Sequence, residues 1–461
     1  MTQHDRLHNY ININKAQMVE DLKALLRIPS VEGEQAENAP FGTEVERALN
    51  LTLDICRKLG LKAVNVDGYA GYAEIEGCEG EQIGVLTHLD VVPAGKGWTH
   101  PPFDAYQKDG IIWARGICDD KAPAIASIYA LAALKSCGIT PKRNIRLIFG
   151  CNEESGWKCI EHYDKTVGLP EIGFSPDADY PIINTEKGIY HGELSINAEF
   201  DGYEVEIYGG ERANVVPAEA SAVIKGNTDR LMRTLLEYDH ASHGITITVK
   251  DGVLTINATG KAAHASTPQN GKNAFFALLD LLDKLDLGSD AGKAISLINR
   301  CLCGSTDGSG VGLAIKDDIS GALTLNLGIL NYKNGVLSFT VDVRYPITIS
   351  DETVSSRLKQ AFPLFKLCNA HVQQPHHIPE DHFLVRALSS VYEQNTGQKA
   401  HCIAIGGGTY ARALKCGVAF GVTRPGAPEL AHNADERMSI DDFISDTHMF
   451  ADAYLKLTTE V

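Results

Sequence analysis

The first 190 residues alternate between short apolar runs and longer amphipathic stretches. Apolar residues at helical spacing predict helices over 15–26, 44–59 and 122–137. Short apolar runs predict strands over 62–66, 71–76, 83–87 and 144–150. Strands that alternate with helices in this way are typical of a largely parallel α/β sheet.

The pattern changes near residue 190, where apolar and polar positions begin to alternate with a period of two. This alternation predicts strands over 192–207, 218–225, 244–249, 253–258, 322–329 and 335–344. Helices are predicted between them, over 228–238, 273–285 and 351–362. From residue 382 the α/β pattern returns, with helices over 383–395 and 441–457.

These patterns predict an α/β fold in which one domain is interrupted by another. Residues 1–189 and 382–461 are expected to form the first domain, around a mostly parallel sheet. Residues 190–381 are expected to form an α+β insertion. The insertion contains two stretches of strand, strand and helix character, which suggests two diverged α+β units.

Polar side chains follow several predicted strands at the point where each strand ends. His88 and Asp90 follow one apolar run, Glu153 follows a second, and Asp177 ends the segment GFSPD. Alternate residues of an extended chain point to the same side, so His88 and Asp90 can reach one point. Ligands bind at the C-terminal ends of parallel strands, so we expect these groups to lie together. Imidazole and carboxylate groups in combination suit zinc, manganese or cobalt.

The composition narrows the classes of function. The 461-residue chain carries 42 basic and 59 acidic residues, a formal net charge of -17, which argues against a nucleic-acid partner. No apolar run approaches the length of a membrane span or resembles a signal peptide. The eleven cysteines include no CxxC pair, and free thiols are typical of a reducing compartment. We therefore expect a cytoplasmic protein without nucleic-acid or membrane partners.

Two strings around the first polar cluster resemble a known metal-binding signature. They are THLDVVP at 87–93 and ARGICDDK at 114–121. Both are similar to the signature of the aminoacylase and glutamate-carboxypeptidase family of two-metal hydrolases, within which the PepV-type bacterial dipeptidases match best. The resemblance extends over nearly the whole chain. It implies a zinc-exopeptidase-like catalytic domain split by a lid domain, and two divalent metal ions per chain. Zinc is the foremost choice, with manganese or cobalt as alternatives.

The resemblance also implies a role for each residue with ligand character. Asp119 would bridge two metals about 3.5–4 Å apart. His88 and Asp177 would complete one metal site, and Glu154 and His432 would complete the other. The distant His432 lies in the segment ELAHNADERMS, which resembles the HxxxE loop of the family.

Asp90 and Glu153 are expected to act around the metals. Asp90 would bind the second nitrogen of His88 and fix the imidazole tautomer. Glu153 and Glu154 follow a buried strand in the segment NEESG. Adjacent residues of an extended chain point opposite ways, so one Glu can bind metal while the other faces the attacking water. Glu153 is the predicted general base, which takes a proton from that water and passes it to the leaving amine.

Three strings of the insertion resemble the lid domain of the family. They contain Asn214 in RANVVPAEA, His264 in GKAAHASTPQ and Arg344 in DVRYP. The resemblance implies that His264 donates to the oxyanion and that Asn214 and Arg344 bind the terminal carboxylate of the substrate. Taken singly, the three residues are better interpreted as a turn asparagine, a surface histidine and an arginine in a strand salt bridge, and only the three strings together favour the substrate-binding roles.

A glycine-rich loop at 406–409 follows a predicted strand. It lacks the lysine of a phosphate-binding loop, so that interpretation is incomplete. In PepV-type enzymes the equivalent loop lines the substrate site with backbone amides. The resemblance therefore implies substrate-binding roles for Gly407, Gly408 and Thr409.

The sequence as a whole predicts a metal-dependent dipeptidase that hydrolyses the amide bond of unsubstituted dipeptides. The nearest alternative is an N-acyl amino acid amidohydrolase of the same fold, because both reactions need the same metals and base. A non-catalytic binding protein is a third hypothesis, and the presence of Glu153 with every ligand position argues against it. The insertion is large enough for two lid units, so we expect a monomer that forms its whole site from one chain.

Overall fold

The computed structural model describes residues 1–459, apart from the side chains of residues 79–81, 228 and 459. The chain forms two compact units. The first unit comprises Met1–Asn184, Ile378–Ile403 and the residues from Gly408 onward. The second unit comprises Thr185–His377 and Ala404–Gly407.

The first 186 residues supply most elements of the first unit. In chain order they are α1 (Gln3–Leu26), α2 (Thr43–Lys58), β1 (Lys62–Val66), β2 (Ala70–Ile75), β3 (Glu79–His88), β4 (Tyr106–Lys108), β5 (Ile111–Trp113), α3 (Ala122–Ser136), β6 (Arg143–Gly150), α4 (Lys158–Thr166), β7 (Ile172–Ser175) and β8 (Ile182–Glu186). Helix α1 begins well before the predicted start at residue 15. Thr2 and Asp5 cap it reciprocally through side chain and backbone, and Leu7 and Ile11 are buried.

The second unit is built around an antiparallel sheet. Its elements are β9 (Gly188–Asn197), β10 (Tyr203–Gly209), β11 (Glu219–Gly226), α5 (Met232–Glu237), α6 (His240–His243), β12 (Ile245–Lys250), β13 (Val253–Thr259), α7 (Ala274–Leu285), α8 (Ser289–Leu302), β14 (Lys316–Asp317), β15 (Gly321–Ala322), β16 (Thr324–Lys333), β17 (Val336–Tyr345), α9 (Asp351–Ala361), β18 (Lys366–Gln373) and β19 (His376–His377). Eight strands pair in the order β12-β13-β11-β10-β16-β17-β9-β18. The predicted strand over 192–207 is two strands, because Asp201 and Gly202 form a turn. The alternation pattern misses α8 and β18.

The last part of the chain completes the first unit. Its elements are α10 (Phe383–Thr396), β20 (Cys402–Ile405), β21 (Cys416–Ala419), β22 (Arg437–Ser439) and α11 (Ile440–Thr459). Within the described residues, no helix combines the length and the apolar character needed to cross a bilayer.

Parallel strands occupy the middle of the sheet in the first unit. Seven strands follow the order β1-β2-β6-β3-β7-β21-β8. The pairs β6–β3, β3–β7 and β7–β21 are parallel, whereas β1, β2 and β8 pair antiparallel with their neighbours. Helix α3 is buried on all sides from Ala122 to Leu134, which its Ala-rich sequence permits. The four parallel strands end at one edge of the sheet, and this edge carries the polar groups described next.

Candidate metal and active site

Loops at the carboxyl ends of the parallel strands bring the five predicted ligands together. His88 ends β3, Glu154 follows β6 and Asp177 follows β7. His432 lies in the long loop after β21, and Asp119 lies between β5 and α3. We call these five residues the strand-end cluster. All of them belong to the first unit.

Asp119 lies between the two histidines of the strand-end cluster. Its Oδ1 is 2.8 Å from Nε2 of His88, and its Oδ2 is 2.9 Å from Nε2 of His432. Oδ2 of Asp177 is 3.5 Å from Nε2 of His88, and Oε2 of Glu154 is 3.1 Å from Nε2 of His432. Two trios of potential metal ligands therefore share Asp119.

Asp90 contacts His88 in a different way from the prediction. Nδ1 of His88 is 3.0 Å from the backbone oxygen of Asp90 but 3.6 Å from its carboxylate. The carboxylate instead accepts the backbone N–H groups of Glu153 and Glu154, at 3.1 and 3.0 Å. Asp90 thus orients the imidazole through its backbone and positions both glutamates through its side chain.

Glu153 is half-buried, and its carboxylate has a defined partner. The indole N–H of Trp157 donates to Oε1 of Glu153 at 3.1 Å. Burial raises the pKa of Glu153 well above its ordinary value. A carboxyl group with a raised pKa accepts a proton more readily than an ordinary one.

Carboxylates outnumber imidazoles in the strand-end cluster, and the pKa values follow from this. The carboxylates of Asp119 and Glu154 raise the pKa of His432 to about 11. Burial lowers the pKa of His88, but Asp119 and Asp177 outweigh it, and the net pKa lies well above the ordinary value. Burial raises the pKa of Glu154 and of Asp177. The cluster therefore favours added positive charge, either as protons or as cations.

Glu436 connects the loop of His432 to the loop that carries the shared aspartate. The guanidinium of Arg115 donates to its carboxylate at 2.6 Å, and the backbone N–H groups of Gly116 and Cys118 donate at 3.1 and 2.7 Å. Strand β22, which follows, pairs with β5. Burial raises the pKa of Glu436 to about 7. Sequence reasoning noticed the HxxxE spacing but gave this glutamate no partner.

Two further buried ionisable side chains, Lys121 and Asp120, adjoin the site, and sequence reasoning missed both. The ammonium of Lys121 donates to the carbonyls of Leu25 and Ile28, at 3.2 and 2.7 Å, where α1 ends. Burial lowers the pKa of Lys121 to about 7. Asp120 accepts the backbone N–H of His88 at 3.0 Å, and burial raises its pKa well above the ordinary value. Their signal in the sequence is the DDK string alone.

A cavity of about 460 Å³ lies beside the strand-end cluster, within the first unit. Asp119 and Asp177 form part of its wall, and Val422, Leu430 and Met438 supply apolar surface. This volume is in the range of small-molecule binding sites. A small molecule can therefore fit next to the cluster.

The remaining predicted site residues lie mainly in the second unit. Arg344 is buried and donates to the carboxylate of Asp342 at 2.6 and 2.8 Å and to the carbonyl of Gly406 at 2.8 Å. These bonds use three of its five N–H groups. His264 is exposed, with Nδ1 2.6 Å from Oγ of Ser266.

Asn214 and the glycine-rich loop complete the predicted set. The backbone carbonyl of Asn214 accepts from Ala265, so its segment lies beside that of His264. Gly407 belongs to the second unit, and Gly408 and Thr409 belong to the first. The hydroxyl of Thr409 accepts from the N–H of Ala411, two residues later, and so caps a short turn.

Comparison with known proteins shows the family to which the chain belongs. Residues 84–456 match the sequence profile of peptidase family M20/M25/M40. The Bacillus subtilis (strain 168) protein named "Putative dipeptidase YtjP" is 40% identical, and the match covers 96% of this chain and 97% of that protein. The Staphylococcus aureus (strain N315) protein named "Putative dipeptidase SA1572" is 34% identical, with coverage of 96% and 97%.

Solved structures share the fold over the full length. Human carnosine dipeptidase 1 matches with a TM-score of 0.60 at 14% identity, and 100% of each chain is covered. The dipeptidase Dug1p from Saccharomyces cerevisiae matches with a TM-score of 0.59 at 15% identity, again over 100% of each chain. These likenesses confirm the predicted fold class. The sequence matches show more, because they cover most of the chain: this protein belongs to peptidase family M20/M25/M40 and is a metallopeptidase.

Proposed function

We propose that this protein is a two-metal dipeptidase of the PepV type, which hydrolyses unsubstituted dipeptides. The observation that carries the proposal is the pair of ligand trios that share Asp119. A shared carboxylate is what two neighbouring metal ions need. The names of the relatives as dipeptidases support the substrate class.

The strand-end cluster fits divalent cations by its donors and by their geometry. Imidazole and carboxylate donors suit zinc first, and also manganese or cobalt. Nε2 of His88 and Oδ1 of Asp119 are 2.8 Å apart, yet they do not meet in hydrogen-bond geometry. This arrangement is expected where both atoms are directed at a common third atom, here the proposed cation. His88 and Asp177 would hold one cation with Asp119, and Glu154 and His432 would hold the other.

When bound, the cations would supply Lewis-acid chemistry, acidifying a water molecule and polarising the scissile carbonyl. Glu153 is the proposed general base. Its backbone is fixed by Asp90, and Trp157 orients its carboxylate. Because burial raises its pKa, Glu153 can take a proton from the attacking water and keep it until the leaving amine accepts it.

Residues of the second unit, together with Gly408 and Thr409 of the first, are proposed to bind substrate. His264 would donate to the oxyanion of the tetrahedral intermediate. Asn214 and Arg344 would bind the terminal carboxylate, Arg344 with the two N–H groups that its bonds to Asp342 and Gly406 do not use. Backbone amides would line the substrate site at Gly407, Gly408 and Thr409.

We further propose a cytoplasmic monomer. All eleven cysteines are free, as in proteins of a reducing compartment. The monomer is tested by mixing inactive His264→Ala and Glu153→Ala proteins under conditions that allow subunit exchange. A site formed within one chain stays inactive in the mixture. Recovered activity would contradict the monomer, because a mixed dimer would carry one intact site.

A hydrolysis panel tests the substrate class. Enzyme reconstituted separately with zinc, manganese and cobalt is assayed on a dipeptide, its C-terminal amide, a tripeptide and an N-acyl amino acid. The free dipeptide should be cleaved fastest, since the proposed carboxylate site and lid require a short acid. Fastest cleavage of the N-acyl amino acid would instead identify an amidohydrolase. Equal cleavage of the dipeptide and its amide would refute the carboxylate site.

A further inference from the structure

A second histidine–carboxylate cluster lies in the first unit, on helices rather than at strand ends. His4 and His8 are one turn apart on α1, and Asp452 lies on α11. Nδ1 of His4 is 2.9 Å from Oδ1 of Asp452, and Nε2 of His8 is 3.0 Å from Oδ2. The proposed dipeptidase reaction uses none of these residues.

His448 lies one turn before Asp452 on α11, beside these three residues. Its ring stacks on that of His8, with centroids 4.1 Å apart and planes 8° apart. Two stacked, parallel imidazoles cannot both direct an in-plane nitrogen at one ion, so His448 adjoins the cluster without being one of its ligands. Burial lowers the pKa of His448 to about 4, so its ring adds no positive charge there near neutral pH.

We propose that His4, His8 and Asp452, together named the helix cluster, bind one divalent cation of the zinc type. Potential ligand atoms of these three residues all lie within 4.8 Å of one another. Two imidazoles and one carboxylate form a three-ligand set, which leaves the fourth position of a tetrahedral site to a water molecule. Tetrahedral bonds of about 2.0–2.2 Å place ligand atoms about 3.3–3.6 Å apart. The 2.9 and 3.0 Å separations to Asp452 differ from this by a few tenths of an ångström.

Two features of the surroundings suit a bound cation. The side chain of Asn395, on α10, donates to Oδ2 of Asp452 at 3.0 Å and orients the carboxylate, as groups around metal ligands do. The side chain of His4 is 54% exposed, so a cation can enter. The cation would join the first helix of the chain to the last and stabilise the first unit by mass action.

Zinc content tests the proposal on the full-length protein. Zinc per chain is measured by elemental analysis after equilibrium dialysis of the parent and of the His8→Ala and Asp452→Asn variants. Each variant should contain one zinc fewer than the parent while it hydrolyses dipeptide at the parental rate. The matched control is His162→Ala, because His162 contacts Asp67 at 2.9 Å without a second histidine. Its zinc content should equal that of the parent.

A second measurement keeps the test decisive if one variant fails to fold. Zinc should raise the melting temperature of the parent by more than that of the variant that does fold. A zinc content equal to that of the parent in either folded variant would overturn the proposal. The readout is a difference of one ion, so it does not depend on whether the strand-end cluster holds the proposed two.

Discussion

The strand-end cluster and the helix cluster use the same donor types in opposite proportions. The strand-end cluster has three carboxylates and two imidazoles, whereas the helix cluster has one carboxylate and two imidazoles. Loops from separate strands build the first, and residues one helical turn apart build the second. Strand ends can gather many carboxylates around a cavity, while neighbouring helix turns close around a single ion.

The difference in charge explains the difference in expected chemistry. Excess carboxylate raises the pKa of His432 to about 11, so the strand-end cluster requires more than one positive charge. The helix cluster has a single carboxylate and needs less. A strongly negative cluster beside a cavity suits two catalytic cations, and a small set of ligands on two helices suits one cation. The predictions that follow test this contrast, from the largest expected effect to the smallest.

Substitutions at the two clusters are expected to differ most in their effect on kcat. Glu153→Gln should lower kcat by about 10²–10⁴-fold, the contribution typical of a general base. Its zinc content should match that of the parent, whereas Glu154→Gln should lower zinc content because it removes a proposed ligand. Kinetics and elemental analysis on the same samples separate the two effects. Parental turnover by the Glu153→Gln enzyme would contradict the assignment of Glu153 as the general base.

Glu436, which holds the loops of the strand-end cluster together, should contribute to the free energy of unfolding. Glu436→Ala leaves the buried guanidinium of Arg115 without its carboxylate, which should lower the free energy of unfolding by about 3–5 kcal/mol in urea titrations. The matched control is Glu171→Ala, because Glu171 and Lys415 form a pair in which both side chains are 73% exposed. That control should change stability by no more than about 0.5 kcal/mol. Equal effects of the two substitutions would contradict the role given to Glu436.

In metal-free protein, the stability that His432 contributes should decline as the pH rises. The carboxylates of Asp119 and Glu154 raise the pKa of His432 from 6.5 to about 11. An imidazole whose pKa is higher in the folded state contributes its full stability below a pH of about 6.5, and the contribution fades toward pH 11. The difference in urea midpoint between the parent and a His432→Ala variant should therefore shrink between pH about 6.5 and about 9. This comparison cancels the opposite effect of Lys121, whose pKa burial lowers to about 7. Zinc-loaded protein should show a smaller change with pH, since cations replace the protons. Equal pH profiles with and without zinc would contradict this account.

The smallest effect on activity is expected at the helix cluster. Asp452→Asn should leave kcat and KM for a dipeptide unchanged, because the helix cluster has no part in the proposed reaction. Steady-state kinetics on zinc-loaded protein provide the check. A loss of turnover in a folded, zinc-loaded Asp452→Asn protein would contradict the claim that the helix cluster has no part in the reaction.

Much of the strand-end cluster could be predicted because its residues follow strong local patterns. His88, Glu154 and Asp177 come directly after apolar strands, and the parallel arrangement of those strands brings their ends together. His432 required the resemblance to a family loop. The partner of Glu436 could not be predicted, since Arg115 lies 321 residues away and no local pattern connects the two.

The elements that sequence reasoning missed have weak periodicity or distant partners. Strand β18 is an edge strand with mostly exposed residues, so its apolar and polar positions do not alternate. The N-terminal half of α1 is polar, and its burial depends on packing against the rest of the unit. The helix cluster forms only because α1 and α11 meet, which brings His8 to a residue 444 positions away.

Anomalous diffraction at the zinc edge tests the central claim most directly. Crystals of zinc-loaded protein should show two peaks on either side of Asp119. One peak should lie against His88 and Asp177, and the other against Glu154 and His432. A single peak at Asp119, or none, would contradict the two-metal site.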